Sequence, residues 1–321
     1  MGLTPGRRVV ATAPVRVADV GGWTDTWFGS PGQVCSVAVS PGVTVTAELV
    51  DGPSTRFEDA LLDAAMAAIE VPGGVEVSIA SAVPPGASLG TSAAVVVAML
   101  GALDALAGGT RTPAEVARLA HRVETVDAGR EAGVQDQWAA AMGGCSLLQV
   151  GPYPDARHRA LDVDPAVLDD LADRLVTVVF GAHDSSAVHH EVIHLLTACG
   201  GSEHDRARRS MRRLASLTAE AADALVGRDL DGWGALLSVA TEEQRALHAG
   251  LVGEAHDAAI DVARSHGALG WKVNGAGGAG GSLTVLAATE PGAVERLTEA
   301  LSSIGQVVAL RPSAGLAVEA R

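Results

Sequence analysis

From Ser81 to Leu100 the chain reads SAVPPGASLGTSAAVVVAML. Two prolines and two glycines loosen the backbone, a Thr-Ser pair follows, and an apolar run with no turn signal comes after it. The run predicts a core helix ending near Leu106, so the chain must supply enough apolar surface to cover it. At 321 residues and 48% hydrophobic it can do so, and the length suits roughly two domains. The first turn of that helix offers unpaired N–H groups and the positive end of its dipole. Glycines allow a polyphosphate close to the backbone. Thr91 and Ser92 stand where a hydroxyl either caps the helix or reaches a metal on the phosphates. An ordinary glycine turn before a core helix would look the same. A Walker loop is excluded, because no lysine follows the last glycine.

Residues 7–50 read as strands rich in Val and Thr. A helix is expected over 56–71, a strand in GGVEVSIASAV, and a helix in TPAEVARLAHRVETV. Thr112 caps that helix, with Pro113 at its first position and Glu115 at the capping-box position. VQDQWAAAMGG begins another helix and CSLLQV another strand. The polar, proline-punctuated stretch 151–165 marks a domain boundary, giving domains of 1–160 and 161–321. Beyond it come the strand RLVTVVF, amphipathic helices over about 205–226, 230–249 and 251–266, and a helix at 291–304. A last strand is expected in VVALRP. Strands and helices interleave without a regular βαβ ladder, so the fold class is α+β.

GAGGAG at 275–280 matches a dinucleotide fingerprint in form only. That fingerprint needs a helix next, and the alternating SLTVLAA predicts a strand. A glycine loop between strands either makes a hairpin or brings its backbone against a phosphate. In GREAGVQDQWAAAMGG, Asp136 is either a helix N-cap or a general base, with Glu124 on the preceding helix as a second acid able to hold a cation. Arg16 is a charge in a strand that otherwise looks buried, so it must be paired or used. Asp25 follows a Gly-Gly turn. His183, His189, His190 and His194 lack a metalloprotease pattern and read as a polar helix face.

A net charge of −15 argues against nucleic-acid and anionic-membrane surfaces. One Tyr and three Phe leave little for base stacking. Cys35, Cys145 and Cys199 lie far apart without zinc spacing and suit buried thiols in a reducing, cytoplasmic compartment. No leader peptide or membrane span is expected.

Three segments, in order, resemble the GHMP kinase superfamily: APVRVADVGGWTDT, PPGASLGTSAA and KVNGAGGAGGS, together spanning residues 13 to 282. GGWTDT, GVQDQWAAAMGG and GALGWKVNGAGGAGG are most similar to its branch of L-fucokinases and heptose phosphate kinases. The resemblance implies an N-terminal domain like ribosomal protein S5 domain 2, a ferredoxin-like C-terminal domain, and ATP and Mg²⁺ as cofactors. It implies a sugar substrate, free or phosphorylated, and leaves room for a homodimer. By position, Pro85, Gly86, Ser88, Leu89, Gly90, Thr91 and Ser92, with Gly277 and Gly278, would cradle ATP. Ser92 and Glu124 would hold Mg²⁺, Asp136 would be the base and Arg16 its neighbour. Gly22, Thr24, Asp25 and Gln135 would meet the sugar. Ser88 stands where the family usually has Gly, and Thr91 where it has Ser. Asp184 precedes Ser185 and Ser186 where heptose phosphate kinases tend to carry Arg, which favours an unphosphorylated sugar.

Overall fold

The computed structural model describes residues 5–181 and 186–320. Its spine is a hairpin of two long antiparallel strands, β1 (Arg8–Val20) and β2 (Gly32–Val50). β2 serves two partners in succession. Its second half pairs with β3 (Gly74–Ser81), and its first half with β4 (Cys145–Val150). β5 (Ala156–Ala160) extends the sheet beyond β4 and occupies part of the proline-punctuated stretch expected to be a plain connection. All of Ala13–Val20 is buried, so alternation is lost where this strand is covered on both faces.

α1 (Ala60–Ala67), α2 (Thr91–Ala107), α3 (Pro113–Arg122) and α4 (Gln135–Met142) follow. α1 is shorter than the expected 56–71, because the Asp59 side chain accepts from the Leu61 and Leu62 N–H groups and fixes its start there. α2 packs against β1, β2 and α4, and most of its residues are buried all round. The Thr112–Glu115 capping box of α3 forms as expected.

The second sheet is antiparallel, in the order β7 (Gly270–Val273), β8 (Gly281–Leu286), β6 (Leu175–Gly181), β9 (Gln306–Val308). α5 (Pro165–Arg174) precedes it, and α6 (Ser186–Thr197), α7 (Ser202–Val226), α8 (Leu230–Leu247), α9 (Glu254–Ser265) and α10 (Ala293–Ser302) are the remaining α-helices among the described residues. α9 and α10 bury Ile260, Ala263, Leu297 and Leu301 against Val176, Val178, Leu283 and Val285 of this sheet.

The expected strand VVALRP is split, because the chain leaves the second sheet after β9. β10 (Arg311–Pro312) pairs with β2, and β11 (Ala317–Ala320) pairs with β1. A single cut at 160 would therefore separate these strands from the sheet they complete. Cys35 and Cys145 are buried as expected, whereas Cys199 is exposed. Among the described residues no helix is long and apolar enough to cross a membrane.

Candidate active site

β1 enters the site through irregular pairing. Its register with β2 shifts between Ala13 and Val15 and again between Val17 and Val20, and Ala18 has φ 55°. A bulge re-aims side chains, and both Arg16 and Asp19 end up buried, 3% and 0% exposed. Buried charges need partners. Arg16 Nε donates to Asp136 Oδ1 at 2.8 Å, and its Nη1 donates to the Ser88 carbonyl at 2.6 Å. Asp19 Oδ1 lies 3.9 Å from Nη1. Burial opposes the guanidinium charge, but Asp136 and Asp19 outweigh it, so its pKa is raised.

The loop before α2 is clamped from two sides. Leu89 O accepts from Arg16 N–H at 2.9 Å, and Ala87 O accepts from the Ser282 hydroxyl at 2.6 Å. Ser88 takes φ 57°, a left-handed conformation that costs an L-residue about 1–2 kcal/mol. Thr91 and Ser92 do not cap α2. Gly90, at φ 74°, occupies the N-cap position and has no side chain to offer, so no side-chain cap forms. The N-terminal N–H groups of α2 are left for another acceptor. The Thr91 hydroxyl is buried without a hydrogen-bond partner.

Asp136 lies in the first turn of α4, whose N-cap is Val134. It is therefore no solvent cap. It faces Arg16 on one side and Gly90 on the other, where a Cβ would stand 3.1 Å from its carboxyl carbon. The neighbouring Gln135 gives Asp25 two hydrogen bonds, from its backbone N–H at 3.0 Å and from Nε2 at 3.4 Å. Burial, helped by the charge of Asp136, pushes the Asp25 carboxyl up to about 6. Glu124 sits in a five-residue π-helical turn, Val123–Asp127, that follows α3. The extra residue of a π turn rotates side chains out of the helical sequence of faces. Glu124 Oε2 accepts from Gln137 Nε2 at 2.6 Å, and burial raises its pKa.

The third glycine-rich segment is the hairpin between β7 and β8. Gly275 N–H donates to Asp19 at 3.1 and 3.2 Å. Lys272 Nζ lies 3.8 Å from Asp19 Oδ1, donates to Gln244 Oε1 at 2.8 Å and also bonds the Val273 carbonyl. Burial holds the Lys272 pKa below the usual range. Asn274 Oδ1 accepts from Ala18 N–H at 3.0 Å, and its Nδ2 donates to Ser282 and Thr284. Asp19, Lys272 and Asn274 were not singled out from the sequence. The available signal was the one used for Arg16, a charged or amide residue set among strand Val and Trp residues.

These elements enclose a cleft of about 190 Å³ lined by Arg16, Asp25, Ser92, Glu124, Gln135 and Asp136, with Trp23, Glu131, His189 and Gly275 among its other walls. Other expected residues lie elsewhere. Thr24 is 1% exposed and its hydroxyl bonds the Gly21 and Gln33 carbonyls. A Cβ on Gly22 would stand 2.6 Å from Asp19 Oδ2, so that glycine makes room for Asp19. Pro85 and Gly86 are exposed in the loop outside the cleft. Gly278 N–H donates to Leu251 O at 3.1 Å, and Gly277 is packed against the same carbonyl. His183, Asp184 and Ser185 lie outside the described residues.

No three His, Cys, Asp or Glu side chains among the described residues are grouped to hold a metal ion. Ser92 and Glu124 line one cleft beside an uncapped helix N-terminus. That donor set fits an Mg²⁺ ion that completes its shell on phosphate oxygens and water.

Residues 57–144 match the family model for the GHMP kinase N-terminal domain. A mevalonate kinase from Thermococcus onnurineus is 31% identical over 212 residues, covering 64% of this chain and 58% of that protein. A galactokinase from Mycobacterium bovis is 33% identical over 187 residues, covering 55% and 47%. The first curated relatives it matches are spanned over only 24% to 65% of their length. Among solved structures, a D-glycero-D-manno-heptose 1-phosphate kinase from Bacteriodes thetaiotaomicron superposes with a TM-score of 0.72 at 20% identity, covering 97% of this chain and 98% of that one.

Proposed function

We propose that the chain, whose residues 57–144 match the GHMP kinase N-terminal domain, transfers the γ-phosphoryl group of ATP to a hydroxyl of a monosaccharide. One observation carries the reading. Asp136 stands at the junction of the loop before α2 and the cleft that holds Asp25, bonded to Arg16 and in contact with Gly90. A base there can reach an acceptor hydroxyl while that hydroxyl faces a bound phosphate.

In this reading Asp25 and Gln135 orient the acceptor. Asp136 takes the hydroxyl proton as the new O–P bond forms and ADP departs with the bridging oxygen. Arg16, held by Asp136 and the Ser88 carbonyl, places its positive charge beside the transferred group. The open N–H groups of α2 and the Thr91 hydroxyl receive phosphate oxygens. Ser92 and Glu124 would hold Mg²⁺, which when bound offsets phosphate charge. Most of the required catalysis is positioning.

The named mevalonate kinases among the relatives favour a second reading, a non-sugar alcohol as acceptor. ADP release measured over a panel of monosaccharides and hydroxy acids separates the two. Asp136→Asn keeps shape and removes proton acceptance, so kcat should fall about 10²-fold or more with ATP affinity retained. A near-normal kcat would overturn the assignment of the base.

A further inference from the structure

The acceptor end of the cleft shows which kind of molecule fits it. Its walls are Trp23, Asp25, Glu131, Gln135 and His189. Among the described residues that line the cleft, Arg16 alone carries a fixed positive charge, and it is committed to Asp136, Ser88 and Asp19. His189 is pushed toward its neutral form by burial. Four lining residues are acids: Asp25, Glu124, Glu131 and Asp136.

The hydrogen-bond inventory points the same way. Gln135 turns its Nε2 to Asp25 and Gln137 turns its Nε2 to Glu124. Gln135 and Gln137 both line the cleft, and with each Nε2 so engaged their Oε1 atoms are buried without partners. An unpaired buried acceptor is costly, so a ligand that donates hydrogen bonds suits these walls. Trp23 also lines the cleft, and its indole N–H is buried without a partner. Trp23 holds φ 78°, a left-handed conformation that is a marked outlier for so bulky a residue and clusters at functional sites. Its ring lies 5.1 Å from that of His189, centroid to centroid. The two rings, tilted 39° to each other, form an aromatic wall of the cleft.

We infer that the acceptor is an uncharged polyhydroxy compound, its hydroxyls donating to Asp25 and Gln135 and one apolar face against Trp23 and His189, and that sugar phosphates and hydroxy acids are rejected by the surrounding carboxylates. A phosphate or carboxylate on the acceptor would meet Glu131 and Asp25, and no described lining residue offers it a free cation. The inference rests on the kinase reading for its turnover assay, but the binding assay is independent of it.

The experiment pairs matched compounds at pH 7.5: free hexoses, 6-deoxyhexoses and heptoses, their 1-phosphates, and mevalonate. Calorimetric binding and ADP release are both measured. The neutral sugar should lead its own phosphate and mevalonate by at least about 10²-fold in kcat/KM and in affinity. Neutral sugars that bind with that preference but are not phosphorylated would sink the kinase reading and uphold the inference. Equal or better use of a sugar phosphate or mevalonate would overturn the inference and leave the kinase reading standing. Glu131→Arg supplies the absent cation, so the ratio of phosphorylated to free sugar should rise at least about 10-fold with the KM for ATP unchanged. An unmoved ratio would also overturn it.

Discussion

Asp19 shows how much one buried carboxylate holds together. It accepts from the Gly275 N–H, faces Lys272 and Arg16, and lies under Gly22. Breaking a buried ion pair costs more than replacing it whole. Asp19→Leu should therefore lose about 3 kcal/mol in urea unfolding, and adding Lys272→Met should restore more than half of that, a coupling that a double-mutant cycle measures. Asp25 makes a prediction about pH. Its folded value of about 6 lies above the roughly 3.9 of an unfolded chain. The folded state thus binds more protons between about pH 4 and 6, and this group's contribution to stability is lost as pH rises through that window. Asp25→Asn should match the parent near pH 4 and exceed it by on the order of 2 kcal/mol at pH 7.5, while the acceptor KM rises far more than the KM for ATP. Arg16, Asp25, Glu124, Gln135 and Asp136 line one cleft; a charge in an apolar strand drew attention to Arg16, while Asp25 and Gln135 were reached only through the resemblance. Thr24 and Gly22 misled, because a turn consumes hydroxyls and small residues for its own closure. The part played by Gly275 rather than Gly277 depends on the path of the hairpin, which spacing alone does not reveal.

At the scale of elements, α2 begins and ends on glycines in the same left-handed conformation, Gly90 at φ 74° and Gly108 at φ 84°. Only the first touches the site. A Cβ on Gly90 would press the Asp136 carboxyl, whereas one on Gly108 would meet nothing within 4 Å. Gly90→Ala and Gly108→Ala should each cost about 1–2 kcal/mol of stability. If Asp136 is the base proposed above, Gly90→Ala should also lower kcat at least about 10-fold by displacing it, and Gly108→Ala should leave kcat alone. Equal rates in the two variants would contradict the contact. The helices themselves could be read from their periodicity and from caps such as Thr112 with Glu115. The π turn that aims Glu124 could not, since an inserted residue leaves no mark in an apolar pattern.

For the molecule as a whole, residues 311–320 matter more than their position at the far end of the chain suggests. β10 and β11 close the first sheet, Gly144 N–H donates to Ser313 O at 2.8 Å, and Leu316 N–H donates to Ala141 O at 3.1 Å. These bonds grip the C-terminal end of α4, the helix that carries Asp136. Ending the chain after Leu310 should therefore raise hydrogen exchange in β1 and α4 before it does so in the second sheet, with kcat falling in step. Unchanged protection in α4 would refute this. The arrangement also sets an order in time. During synthesis the ribosome delivers β1 and β2 first and adds roughly 5–20 residues per second. The sheet's last strands therefore emerge on the order of ten seconds or more after its first ones. For that interval α4 has the loop before α2 beside it but lacks its final clasp, which forms only once residues 311–320 have come back to meet β1 and β2.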